Sequence, residues 1–246
     1  GQLESGQIFE AGPDVLTYKI NEASEQLGFT IPVDAANAEV LVLSSGLDLM
    51  LFNDALAGTA KIMQHLGVPW SFCTEAYEGA NFGLLSGHEE TQRVQTRRIL
   101  ERVMASGAKV LITPECGHAF PALRWEGAEM LGRKIDLEIL SISEYLGQQL
   151  AAGRLRLRQT DEPRVVALHD PCKVGRLGGS FEEGRAVVRA MGFELHETKN
   201  HHQYNYCCGG GAGVFLINSA SSLRQKAYEI KIDEVKQTGA ESLVVS

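Results

Sequence analysis

Residues 164–172 read RVVALHDPC, a short apolar, β-branched run that turns polar and at once delivers a cysteine. A run of that kind reads as a strand of a buried parallel sheet. Cys172 then stands just past the strand's carboxyl end, the edge along which open α/β sheets place their sites. VLVLSS (40–45), KVLIT (109–113) and LVVS (243–246) read as strands of the same type. Helical stretches lie between them. Residues 50–66 stop at Gly67, 88–106 at Gly107, 182–191 at Gly192 and 212–238 at Gly239, each glycine where helices commonly end. Within 88–106, charge lies on one face and Ile99, Val103 and Met104 on another. Strands alternating with helices define an α/β fold.

The order of elements repeats. A strand (40–45) leads to a helix ending HLGVPWSF, then EGANFGLLSG, a helix ending ASGA and the strand KVLIT. A second strand (164–168) leads to a helix ending AMGFELHE, then YNYCCGGGAGVFL, a helix ending QTGA and the strand SLVVS. The sequence therefore predicts two tandem, pseudo-symmetric α/β units with short parallel sheets flanked by helices. A helical lead-in covers 1–36, the first unit 37–150 and the second 162–246, with the polar segment 151–163 as connector. After KVLIT the first unit runs into PECGH, which sets Cys116 past a strand, whereas LVVS meets the last residue, Ser246. Alignment of the two units predicts a functional element beyond Ser246. The chain opens GQLESG, without a methionine, and reads as a piece of a longer protein.

Composition narrows the function. Of 246 residues, 44% are hydrophobic and 22% charged, the balance of a soluble globular protein with a sizeable core. A net charge of −8 argues against a nucleic-acid partner, which calls for a basic stripe. No apolar run reaches the roughly 18 residues of a membrane span, and no secretory signal opens the chain. The five cysteines, at 73, 116, 172, 207 and 208, are too sparse for a secreted disulfide scaffold. Their pattern points to metal binding or catalysis. Cys73, ending the strand-like run PWSFC, reads as a small buried hydrophobe.

The densest chemistry lies in YNYCCGGGAGV (204–214). Cys207 follows Cys172 by 35 positions, with Cys208 adjacent. In a turn or at a helix start, neighbouring side chains can face one centre. Gly209, Gly210 and Gly211 let the backbone approach that centre and adopt positive φ. A helix beginning near Ala212 would point its positive end there, an environment that favours thiolates and lowers their pKa. These features suit an anionic, sulfur-rich object, and an iron–sulfur cluster is the natural candidate. Other readings stay open at this point. GGGAG could cradle a phosphate, although it lacks GxGxxG spacing and a following Lys-Ser/Thr. Structural zinc would want CxxC pairs, which the sequence does not contain. A vicinal disulfide, and a tight turn with two buried cysteines, complete the set.

Cys172, Cys207, Cys208 and Gly209, in this spacing, resemble the CCG domain of heterodisulfide-reductase-type proteins. In that family one cysteine, a CCG some thirty-odd residues on and a final CxxC form a motif, and two such domains stand in tandem. The CxxC would follow a strand like LVVS, so the resemblance implies that two ligands lie outside the chain. The first unit departs from the pattern. Ser44 or Ser45 stands at its first cysteine position, Ala80–Asn81 at its CC, and Cys116 is what remains of its CxxC. ECGHA, LRWEGA (123–128), HDPC and NYCCGGG are most similar to the DsrK-like catalytic iron–sulfur subunits of the sulfite-reduction-associated membrane complex.

The resemblance implies a heterodisulfide-reductase-like oxidoreductase. Cys172, Cys207 and Cys208 would hold a noncubane [4Fe–4S] cluster, with Gly209 and Gly210 beside it, and a piece without the CxxC is expected to hold no intact cluster. The substrate would be a disulfide or trisulfide of a small sulfur-carrier protein, with electrons exchanged through a membrane haem–quinone subunit. The protein would be cytoplasmic, peripheral to the inner face of the membrane through partner subunits. If the units face each other by pseudo-symmetry, Cys116 is an extra catalytic thiol and His118 a proton donor to a leaving thiolate; a local cap is the plainer role for His118. His169 is expected to orient the Cys172 loop or to serve an ordinary loop role. His201 and His202 are expected to face solvent, and Tyr204 and Tyr206 to pack within their loop. Two other functions stand beside this one: an electron-relay subunit of a flavin-linked glycolate- or lactate-type oxidoreductase, and a docking module with vestigial cysteines.

Overall fold

The computed structural model describes residues 12–45, 53–74, 87–113, 119–211, 214 and 217–245. The chain divides into two compact units, Gly1–Leu140 and Ser141–Ser246. In the first, α1 (Pro13–Leu27) leads to β1 (Val40–Val42), α2 (Asn53–Leu66), β2 (Trp70–Phe72), α3 (Glu89–Ala105), β3 (Val110–Thr113), α4 (Ala119–Arg124), α5 (Gly127–Leu131) and β4 (Glu138–Ser141). The sheet order is β2-β1-β3-β4. β1 pairs in parallel with β2 (Val40↔Trp70) and with β3 (Val40↔Val110). Every residue of β1 and β2 is buried, the polar Ser71 of β2 included, as strands covered on both faces should be. α3 turns Ile99, Leu100 and Val103 into a core with Leu41, Leu111 and Cys73.

The second unit runs α6 (Ile142–Ala151), β5 (Val165–Leu168), a π-type turn (Cys172–Leu177), α7 (Glu182–Ala190) and β6 (Glu194–Leu195). Tight 3₁₀ turns at His202–Tyr204 and Asn218–Ala220 precede α8 (Ser221–Gln237) and β7 (Ser242–Val244). Its sheet order is β6-β5-β7, with β5 parallel to both neighbours. In each unit the first strand is central, the second lies on one side and the third on the other. This is the α/β class with short parallel sheets flanked by helices that the repeated runs predict. Val166, Leu168 and Val188 form the apolar centre of the second unit.

Two local features differ from expectation, each for a physical reason. α6, assigned by sequence to the end of the first unit, packs on α7 in the second. A capping box starts it: Glu144 N–H donates to Ser141 Oγ (3.2 Å) and Ser141 N–H to Glu144 Oε2 (2.9 Å). Gly147 permits the close crossing, since a Cβ there would stand 2.7 Å from Glu183 Cβ. The second difference is the start of α8, at Ser221 rather than near Ala212. Glycine costs about 1 kcal/mol in a helix interior, and the glycines at 209, 210, 211 and 213 all precede the helix. Among the described residues, no helix is long and apolar enough to cross a membrane.

Candidate functional site

β5 and β6 are adjacent and parallel, so the segments that follow them emerge at one edge of the sheet. Asp170, just past β5, is buried and gripped by Arg185 of α7, Nη1–Oδ1 at 2.6 Å and Nη2–Oδ2 at 2.9 Å. The same guanidinium reaches Glu197, just past β6, through Nε–Oε1 (2.7 Å) and Nη2–Oε2 (2.9 Å). One buried cation thus ties both segments, a task that suits the planar fork of arginine rather than lysine. Burial alone would raise the Asp170 pKa, but hydrogen bonds from Arg185 and from the His202 N–H (2.6 Å) hold it below the usual carboxylate range.

Asn205, also buried, links the two segments a second time. Its Nδ2 donates to the carbonyls of Asp170 (2.8 Å) and Tyr206 (2.9 Å), and its Oδ1 accepts from Lys231 Nζ of α8. Arg176, within the turn that Cys172 opens, donates to the carbonyls of Gln203 (2.8 Å) and Asn205. His169 Nδ1 lies 3.3 Å from Asn205 Nδ2. Burial, then the charge of Lys231, lowers the His169 pKa to about 4, so its ring is neutral at pH 7 and can accept this bond.

Cys172 is half-buried and Cys207 and Cys208 are exposed, and all three are free thiols. In the turn that follows, Gly209 N–H donates to Cys207 Sγ (3.3 Å) and Gly210 N–H to Cys208 Sγ (3.4 Å). Gly209 has φ +79°, and a Cβ there would stand 2.6 Å from the Arg224 carbonyl oxygen. Arg224 Nε donates back to the Gly209 carbonyl at 3.2 Å. The double glycine turn is thereby seated on the first turns of α8. A cleft of about 310 Å³ opens beside Cys208, lined by Gly209, Gly210, Ser221, Arg224, Gln225 and Tyr228.

The Cys172 thiol departs from the lowered pKa expected of this loop. Burial, then negative charge at Cys207, raises it, with Cys208 adding to the effect and Lys173 and Arg176 opposing it. The three sulfurs therefore lie within electrostatic range of one another. Among the described residues, no three His, Cys, Asp or Glu converge closely enough to hold a single metal ion. Three thiols, two of them accepting backbone N–H bonds, are the donor chemistry that iron–sulfur groups use.

Several sequence expectations change. His202 is largely withdrawn from solvent: it has φ +53°, its N–H bonds Asp170, and its Nε2 pairs with Glu182 Oε1 at 2.7 Å. Tyr204 and Tyr206 are exposed rather than packed. Ser44 and Ser45 are buried past β1. Cys116, His118 and the Ala80–Asn81 position lie outside the described residues. The scaffold of Arg185, Glu197, Asn205 and Lys231 carries no sequence signal comparable to the cysteines.

Residues 166–246 match the CCG family, described as Cysteine-rich domain. The chain is 28% identical over 231 residues to the Probable membrane-anchored ferredoxin of Chromohalobacter salexigens, covering 92% of this chain and 34% of the relative. It is 25% identical over 181 residues to one subunit of the dihydromethanophenazine:CoB--CoM heterodisulfide reductase of Methanosarcina mazei, covering 68% and 44%. It is 23% identical over 212 residues to the Hdr-like menaquinol oxidoreductase iron-sulfur subunit of Archaeoglobus profundus, covering 72% and 36%. Two of these three relatives are named as heterodisulfide-reductase or Hdr-like oxidoreductase subunits, and the other as a ferredoxin. The chain spans less than half the length of each of these relatives.

Proposed function

We propose that the second unit is the cluster-holding part of a heterodisulfide-reductase-like oxidoreductase, with Cys172, Cys207 and Cys208 as ligands of a noncubane [4Fe–4S] cluster. The observation that carries this reading is the Cys207-Cys208-Gly209-Gly210 turn, whose two N–H···S bonds aim backbone dipoles at the sulfurs. Such a group supplies one-electron steps and an iron site for a thiolate. The chain's own residues do the rest. Arg185 and Asn205 keep the two cysteine segments in register, and Gly209 and Gly210 bring bare backbone against the site. The cleft beside Cys208 admits the reacting sulfur of a substrate.

The substrate is a disulfide or trisulfide of a small sulfur-carrier protein, as the likeness to the DsrK-like group suggests. Reduction of a disulfide takes two electrons and two protons and yields two thiols. Electrons are exchanged with a membrane haem–quinone subunit, a partner consistent with the menaquinol oxidoreductase named among the relatives. The protein lies peripheral to the cytoplasmic face of the membrane. Cys116 supplies an additional thiol and His118 a proton to the leaving thiolate.

Turnover of a carrier disulfide by the full-length protein under an anaerobic reductant tests this reading. Wild type reduces the carrier, and Cys207→Ala binds it without turnover. Equal turnover by both would leave the cysteines vestigial and contradict the reading.

A further inference from the structure

α8 buries two charged side chains beside Val235 and leaves large apolar ones outside. Leu223, Tyr228 and Ile230 are exposed, whereas Lys231 is 1% exposed and Glu234 is buried. A buried ammonium is costly unless opposite charge and hydrogen bonds match it. The other buried cation of this unit, Arg185, is matched by Asp170 and Glu197 through four hydrogen bonds. Lys231 is not matched in that way. Among the described residues its hydrogen-bond acceptor is the neutral Oδ1 of Asn205. Glu234 contributes charge without bonding it: Oε1 accepts from Asn200, and Oε2 has no partner among the described residues. Burial pushes the Lys231 pKa down, and the negative charges of Glu234, Asp170, Cys208 and Glu197 oppose it. His169 adds no competing positive charge near neutral pH.

We propose that Lys231 is a positioning residue for the sulfur site, an inference that rests on the cluster reading above. Held on Asn205, which bonds the Tyr206 carbonyl next to Cys207, its positive charge favours the more negative, reduced state of the cluster. Asn205 carries the same anchor to both cysteine segments. In a poorly screened interior a fixed charge acts strongly on a neighbouring redox group, and net charge with hydrogen bonds to sulfur sets the potential of such groups.

The test compares full-length, anaerobically reconstituted wild type with Lys231→Met, Lys231→Gln and Lys231→Arg. Iron and acid-labile sulfide are counted, and the midpoint potential is followed by an EPR-monitored redox titration. Gln keeps a donor for Asn205 without the charge, and Arg keeps the charge. Met and Gln are expected to disfavour reduction at least tenfold, a fall of about 59 mV for a one-electron couple, while Arg stays within about threefold of wild type. Loss of iron from Met and Gln but not from Arg also supports the inference. Met and Gln that retain iron at the wild-type potential overturn it and leave the cluster reading standing. Loss of iron from all three variants overturns it as well, because packing rather than charge then decides. An iron-free wild type overturns the cluster reading and this inference together.

Discussion

Arg185 of α7 holds Asp170 at the end of β5 by two parallel hydrogen bonds, 2.6 and 2.9 Å long, with both side chains buried. Removing one partner of a buried pair strands the other charge, at about 3–5 kcal/mol. Arg185→Ala is expected to destabilise the second unit by about that amount in urea unfolding. Arg185→Lys, which lacks the fork, should recover only part. An Arg185→Ala protein as stable as wild type would contradict the clamp.

The glycine turn gives a graded prediction. Gly209→Ala should cost about 1–2 kcal/mol from its positive φ alone, and more from the 2.6 Å approach to the Arg224 oxygen. Gly210→Ala meets Cys208 Sγ at an ordinary 3.6 Å and should cost less. Urea midpoints of the two variants check the order, and the reverse order would show that the turn is not seated on α8.

His169 makes stability depend on pH. Its pKa falls from 6.5 in the unfolded chain to about 4 in the fold. The unfolded chain therefore takes up the proton first as pH falls. The stability contribution is complete above about 6.5 and is lost progressively down to about 4. At about 1.4 kcal/mol per pH unit the loss reaches about 3 kcal/mol. Asp170, held low, adds a further loss below the ordinary carboxylate range. Urea unfolding of the metal-free protein at steps from about pH 7 to 4 should show this slope in wild type and a flatter one in His169→Gln. Parallel slopes would contradict the assignment.

The legible part of this protein was the part written in residue type and spacing. Continuous apolar runs announced β1, β3 and β5, because strands buried on both faces leave no room for polar side chains, whereas β7, read from LVVS as equally buried, has no fully buried residue. β6 is two residues long within FELHE, and β4 runs directly into α6, so neither stood apart as a strand. Cys172, Cys207 and Cys208 were visible by chemistry and interval. Their scaffold was not, because Arg185, Asn205 and Lys231 are ordinary polar residues whose burial depends on partners distant in sequence. The hydrogen bonds from Arg185 to Glu197 and from Lys231 to Asn205 span 12 and 26 positions. In α8 apolar pattern was a poor guide, since Leu223 and Ile230 face out and Lys231 faces in.

The central claim is that Cys172, Cys207 and Cys208 together hold an iron–sulfur cluster. Iron and acid-labile sulfide analysis of the anaerobically reconstituted full-length protein tests it most directly. Wild type is expected to carry iron and sulfide in equal amounts, and Cys172→Ala, Cys207→Ala and Cys208→Ala each to lose the same share of both. An iron-free wild type, or a triple variant with undiminished iron and sulfide, would contradict the claim.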